Sequence, residues 1–165
     1  MIQVYIPATV AMLQHLVSAG SLYPLNGTAF AVTPTLRESY SQGDDDELAE
    51  VALREAALAS LRLLAADDGD SLPRRAVLAA EVDDATNRPD LDDAVVRLAR
   101  PVGIDQVVAA YVDTAGAEPA VTAAIAVIDA ADLGDEDADL IVGDAQDHDL
   151  AWYGNQELPF LLELL

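Results

Sequence analysis

One run of seven residues, Ala76-Val77-Leu78-Ala79-Ala80-Glu81-Val82, constrains this chain more than any other stretch. Successive side chains of a strand point to opposite faces, and this run is apolar at almost every position on both. Such a strand must be covered on both faces, so it reads as the centre of a sheet. Two further strands follow it, Asp93–Leu98 and Val107–Val112, without a clean alternation of strand and helix. In Asp93–Leu98, Ala94, Val96 and Leu98 face one way and Arg97 the other. The three strands in succession suit an antiparallel meander. Earlier in the chain, Ile2, Val4 and Ile6 alternate with Gln3 and Tyr5 up to Pro7, and Gly27–Thr33 reads as another strand. The class expected is α+β: one domain over residues 1–165, a mixed sheet of about five to six strands, helices packed mainly on one face.

The helices announce themselves by their ends. Thr9 caps a helix that stops at Gly20, with Val10, Leu13, Leu16 and Val17 on one stripe and His15 beside it. Thr33-Pro34 opens a short helix through Tyr40. After an acidic turn at Gly43–Asp46, the longest helix runs from Glu47 to Ala66, with Leu48, Ala52, Ala56, Ala59 and Leu63 on its inner face. Its alanines let it lie close to what it packs on, and Glu50 and Arg54 stand at i,i+4 for an ion pair. Asp67-Asp68-Gly69-Asp70 breaks it. Asp113 or Thr114 caps a helix that has Pro119 in its first turn and is apolar almost all round, and Asp135, Glu136 and Asp137 begin another. A strand–cap–helix pattern at Val4–Val17 recurs at Val108–Ile128. Ala29–Val32 with Thr33-Pro34 is echoed by Ala151–Asn155. The echo is a weak internal strand–helix repeat.

Charge narrows the function classes. The net charge is −22, every basic residue is arginine, and no basic residue follows Arg100. This field opposes direct binding of nucleic acid or an anionic membrane and favours a basic protein partner or a cation, with self-association as the other partner reading. The chain has no cysteine, which removes disulfides and thiolate chemistry and fits a reducing cytoplasm. Neither a leader pattern nor a run long enough to span a bilayer is legible, so the expected location is the cytoplasm. No Gly-x-Ser-x-Gly elbow or glycine-rich phosphate loop is present.

The terminal stretch Gly134–Leu165 concentrates the chemistry. Asp147-His148-Asp149 combines imidazole and carboxylates, the donor types that suit a divalent cation. The competing reading is a solvated turn, and strand alternation lets only His148 or the aspartate pair face one site. Gly134–Asp139 is no calcium loop, since Leu140 occupies the position that loop reserves for glycine. Leu150–Tyr153 reads as a strand, followed by a turn and a helix opening at Asn155 or Pro159. Phe160, Leu161, Leu162, Leu164 and Leu165 then require burial. Trp152, Tyr153, Gln156 and Glu157 are candidate binding residues. So are Arg37 and Glu38, just after a strand end, where Arg37 with the Thr33-Pro34 helix start would take a small anion or nucleotide.

The opening Val4–Thr9, the segment Thr28–Glu38, Asp132–Ala138 and Asp147–Tyr153 together resemble a small uncharacterised actinobacterial family of acidic α+β proteins, over nearly the whole chain. The resemblance implies lineage and a cytoplasmic home, assigns no activity and transfers no functional residue. The leading expectation is a non-enzymatic interaction or regulatory module whose acidic C-terminal third binds a basic partner. The alternatives are a divalent-metal protein or metal-dependent enzyme centred on Asp147, His148 and Asp149, and a small-anion or nucleotide binder.

Overall fold

A computed structural model describes residues 1–67 and 71–165. Residues 68–70, part of the expected helix break, lie outside the described residues. Nine strands form among the described residues: β1 Ile2–Ala8, β2 Ser21–Leu22, β3 Thr28–Phe30, β4 Ala76–Val82, β5 Ala85–Asn87, β6 Val95–Leu98, β7 Val102–Gly103, β8 Val107–Val112 and β9 Ala151–Gly154. The helices are α1 Val10–Ala19, α2 Pro34–Ser39, α3 Asp45–Ala66, α4 Glu118–Asp132, α5 Glu136–Gln146 and α6 Leu158–Leu164. Seven strands make the main sheet in the order β5-β6-β3-β1-β4-β8-β9, and β2 and β7 pair separately. No helix among the described residues is long and apolar enough to cross a membrane.

The α+β class holds, with differences in detail. The main sheet has seven strands, and every pairing is antiparallel, so it is not mixed. The expected meander does not form. β4 pairs β8, but β6 lies on the other side of β1 and β3. β4 is central and buried at every position except Glu81. β1 continues through Pro7 to Ala8 because its seven-position ladder with β4 holds it. Proline has no N–H to donate, and the β1–β3 pairing shrinks to Tyr5 opposite Phe30.

The sheet separates two cores. On one face Val4, Ile6, Ala8, Leu78, Val82, Val96 and Val112 meet Leu13 and Leu16 of α1 and Leu158 and Leu161 of α6. On the other, Tyr5, Val77, Ala79 and Ala109 meet Leu48, Ala52, Ala56 and Ala57 of α3. Alanine against alanine allows α3 to lie close, and Ser60 seals the contact. Its buried hydroxyl donates to Ala8 O at 2.7 Å and accepts from Ala76 N at 3.0 Å. The buried stripe of α3 then moves from the expected Ala59 and Leu63 to Leu61 and Leu64, because its second half also packs on Val121, Ala124 and Ile128 of α4. The α4–α5 hairpin thus forms an outer flank on the α3 side, so most helical residues do lie on one face.

The expected caps of α1 and α2 form, the acidic turn caps α3 through Asp44, and Asp135, the first of the acids that begin α5, also caps it. Neither Asp113 nor Thr114 caps α4, because the Asp113 carboxylate is taken by Arg75 and a 3-10 turn leads into that helix. Thr9, Thr33, Asp44 and Asp135 each accept a backbone N–H of the first turn. Gly20 ends α1 at φ +85°, a left-handed conformation that glycine adopts without penalty. The echo in the sequence falls on strands placed symmetrically about β4. β1 and β8 flank it, and β3 and β9 follow outward. α1 and α4 occupy opposite sides of the sheet, as do α2 and α6. A two-fold rotation along β4 requires that exchange of faces.

Candidate functional site

The most organised polar cluster begins at the end of β4. Arg75 precedes that strand and Asp113 follows β8, so the antiparallel ladder sets them opposite each other. The backbone N–H of Asp113 donates to Arg75 O at 3.0 Å. Arg75 N and Nε both donate to Asp113 Oδ2 at 2.8 Å, and Nη2 donates to Oδ1 at 2.7 Å. Nη1 donates to Gln146 Oε1 at 2.9 Å, and Nη2 also donates to His148 O at 2.7 Å. Arg75 and Asp113 are each only 1% exposed. One buried guanidinium therefore ties β4, β8, the C-terminal end of α5 and the approach to β9. Neighbouring bonds extend it. Arg74 Nε donates to Glu118 Oε2 at 2.7 Å, and Gln146 Nε2 donates to Arg54 O at 3.2 Å.

Above this latch lies a recess of about 240 Å³, bordered by Glu50, Arg54, Tyr111, Gln146, His148 and Asp149. Burial raises the pKa of the Tyr111 hydroxyl, helped by Tyr5 and Glu50, so this tyrosine stays neutral at ordinary pH. Arg54 turns to α5, where Nη1 donates to Gln146 O at 3.4 Å, and it makes no ion pair with Glu50. No serine or threonine borders the recess. Arg75 is committed to protein acceptors.

The sequence candidates separate in space. Asp147, His148 and Asp149 are all exposed; Asp147 ends α5, and His148 contributes its backbone carbonyl to the latch. Among the described residues, no three histidine, aspartate or glutamate side chains gather as a group able to hold a metal ion. Arg37 Nη1 lies 2.5 Å from Asp45 Oδ1, and this contact holds the exposed Asp45 carboxyl below the usual carboxylate range. An incoming anion must displace Asp45. Glu38 is exposed nearby on α2.

Trp152 stands opposite Tyr111 on the edge strand β9 and is 59% exposed. Tyr153 faces the other side and packs on the α1–α6 core. Gln156 is exposed, and Glu157 Oε2 accepts the N–H of Gly154 at 2.7 Å. Asn155 does not cap a helix through its side chain. Its Nδ2 donates to Ile104 O and Val107 O, each at 2.7 Å, while a 3-10 turn leads into α6 with Pro159 in the first turn. The expectation that the terminal apolar residues are all buried is corrected. Leu161 is buried, but Phe160 is 69% and Leu164 85% exposed. Leu158 and Leu161 face the sheet, and the 100° step of a helix carries positions 160 and 164 to the other side.

The α4–α5 hairpin presents a different surface. Leu133 ends α4, Gly134 turns at φ +98°, and Asp135 caps α5. Leu133 is 90% exposed and Leu140 70% exposed. Glu136 and Asp137 lie four and three positions before Leu140, on its side of the helix. Asp129, Asp132 and Asp139 are exposed on the same two helices. Among them, Asp132 alone meets a cation. Arg62 Nη2 lies 2.9 Å from its Oδ1, which lowers its pKa against the opposing effect of burial. The acids in the first turn of α5 were legible as helix-start signals. The exposure of Leu133 and Leu140 was not, because a leucine at helical spacing reads as core.

The model of the family of unknown function DUF6912 matches residues 2–162, and the chain belongs to that family. No curated protein and no solved structure matches it.

Proposed function

We propose that this protein is a non-enzymatic interaction module whose α4–α5 hairpin receives a basic, amphipathic segment of a partner protein. The observation that carries the reading is the exposure of Leu133 and Leu140 on two helices whose exposed carboxylates, Asp132 apart, meet no cation among the described residues. Helix-terminal acids by themselves stabilise α5 through its dipole and need no partner. Leu133 and Leu140 are among the most exposed large aliphatic side chains of the described residues, and apolar anchors ringed by one sign of charge fit a ligand of opposite charge with an apolar stripe. No lysine or arginine follows Arg100, and among the described residues the hairpin's carboxylates pair with cations only on α4, Glu118 with Arg74 and Asp132 with Arg62, so the α5 acids are left to a ligand. The same field works against direct contact with nucleic acid or an anionic membrane. The cysteine-free composition accords with a cytoplasmic setting.

The test is a titration with a synthetic lysine–leucine amphipathic helix, read by fluorescence anisotropy over a range of sodium chloride. Binding is expected to weaken with salt. It should fall by about tenfold or more in a Leu133→Ser, Leu140→Ser variant, and similarly when Glu136, Asp137 and Asp139 become Gln, Asn and Asn. Removing three acids from α3 instead (Asp46→Asn, Glu47→Gln, Glu50→Gln) should change it little. Equal losses in both sets would mean a general attraction to the −22 field and would sink the hairpin as a site.

A further inference from the structure

We infer that the α1–α6 face is the interface of a two-fold symmetric homodimer. The argument starts from where charge is missing. Residues 1–36 contain no aspartate, glutamate, lysine or arginine, in a chain of net charge −22. α1 is drawn entirely from that span, and α6 carries a single charged residue, Glu163. These two helices lie together over one face of the sheet, packed through Leu13, Leu16, Leu158 and Leu161. Their outward side is therefore almost neutral, while the α3–α4–α5 side holds most of the carboxylates.

That neutral side is also apolar and shaped. A shallow groove between the two helices is lined by Gln14, Val17, Ser18, Pro159, Leu162 and Glu163. On α6 itself, Phe160 and Leu164 stand four residues apart and project into solvent, 69% and 85% exposed. One small surface thus carries both a groove and two large apolar knobs. A two-fold operation sets the knobs of one copy toward the groove of the other, which is what a self-complementary interface needs.

Charge selects the occupant. Two copies of this chain repel wherever their acidic surfaces meet, and that repulsion is smallest where both partners present α1 and α6. A basic partner has no carboxylate cluster to recognise here. A second copy brings a matching neutral, apolar surface by construction.

Sedimentation equilibrium of the full chain over a concentration series tests the inference. The expected result is a mass of twice 17.4 kDa at the upper concentrations. Sodium chloride should strengthen this association by screening the like charges, the reverse of its effect on a basic ligand at the hairpin. Phe160→Asp with Leu164→Asp should weaken dimerisation by at least about tenfold, with circular dichroism unchanged, and melting unchanged at dilutions where the parent chain is itself monomeric, because both sites are exposed. Val17→Glu should do the same from the α1 side. Leu140→Asp, on the hairpin, should leave the dimer intact. A monomer at every concentration and salt would overturn the inference, and so would a dimer indifferent to the α1 and α6 substitutions. Binding of a strictly monomeric chain to phosphatidylcholine vesicles would overturn it in favour of a lipid surface.

Discussion

The two faces of the main sheet are built from one backbone by different means. The face under α3 uses small side chains where the helix comes closest, Ala79 and Ala109 against Ala52, Ala56 and Ala57, with Tyr5 and Phe30 filling its margin, and its helices carry their charges outward. The face under α1 and α6 is filled by larger aliphatics such as Ile6, Leu78, Leu13 and Leu158, and its outward surface is nearly uncharged. The first face has two helix layers, since α4 and α5 flank α3 and share a third apolar cluster with it. The second has one layer of two short helices. Solubility is thus supplied from one side of the molecule, and the other side is left in the state of a surface that is to be covered. The fastenings differ too. The charged side is pinned by the buried Arg75–Asp113 latch, whereas α6 is held by Leu158, Leu161 and the amide of Asn155.

The sharpest way to break that contrast is to remove one partner of the latch. Asp113→Ala leaves the Arg75 guanidinium buried without its counter-charge. A stranded charge of this kind costs about 3–5 kcal/mol, read as a fall in the midpoint of urea unfolding. Replacing both partners by apolar residues, Arg75→Met with Asp113→Leu, should recover a large part of the loss, because well-packed apolar pairs often match a buried ion pair. If the double variant is worse than Asp113→Ala alone, the bonds from Arg75 to Gln146 and His148 matter more than the ion pair. In that case the latch acts chiefly on α5 and β9.

On the neutral side the matching experiment is Asn155→Ala. It withdraws the donor from Ile104 O and Val107 O, which bracket the turn before β8. Two partly buried carbonyls then lose their partner, with an expected cost of roughly 1–3 kcal/mol. The loss should appear first as faster amide exchange in β9 and α6, with α3 and α4 unaffected. Uniform exchange throughout would mean that the two sides do not open separately.

What was legible in the sequence follows from the range of each interaction. β4 and β8 run over the residues expected, because burial on both faces writes itself into consecutive positions. The caps at Thr9 and Thr33 are contacts over three residues and were equally plain, and the acids that open α5 marked its start. Strand neighbours were not. Arg75 and Asp113 are 38 residues apart, and only the β4–β8 pairing makes them partners. Without it, Asp113 reads as a helix cap and Arg75 as one of two arginines before a strand. Phe160 and Leu164 misled for the opposite reason. Apolar character predicts burial within a chain, but an interface between chains uses the same residue types.

The smallest expected effects concern pH, and they too should belong to one side. Glu55 on α3 has its pKa raised, first by burial and then by Asp92, with Arg62 and Arg54 opposing. A carboxyl raised in the folded state favours folding while protonated, and that advantage is lost as pH rises through the folded value. Asp132 is shifted down, chiefly by the hydrogen bond from Arg62. Its contribution is present above the ordinary aspartate range and is lost as pH falls through the folded value. Glu55→Gln should therefore stabilise the protein at neutral pH, with the gain vanishing in acid. Asp132→Asn should destabilise it at neutral pH by under about 1 kcal/mol, since the pair with Arg62 is solvent-exposed, and the loss should also vanish in acid. Salt separates the causes: screening should shrink the Asp132 effect and leave the burial-driven Glu55 effect in place. Leu161→Ala on the neutral face serves as the reference, with a loss that is flat between pH 4 and pH 8 because no titrating group lies in its core cluster at those values. A pH-dependent loss in that variant would mean that the two faces are coupled electrostatically through the sheet.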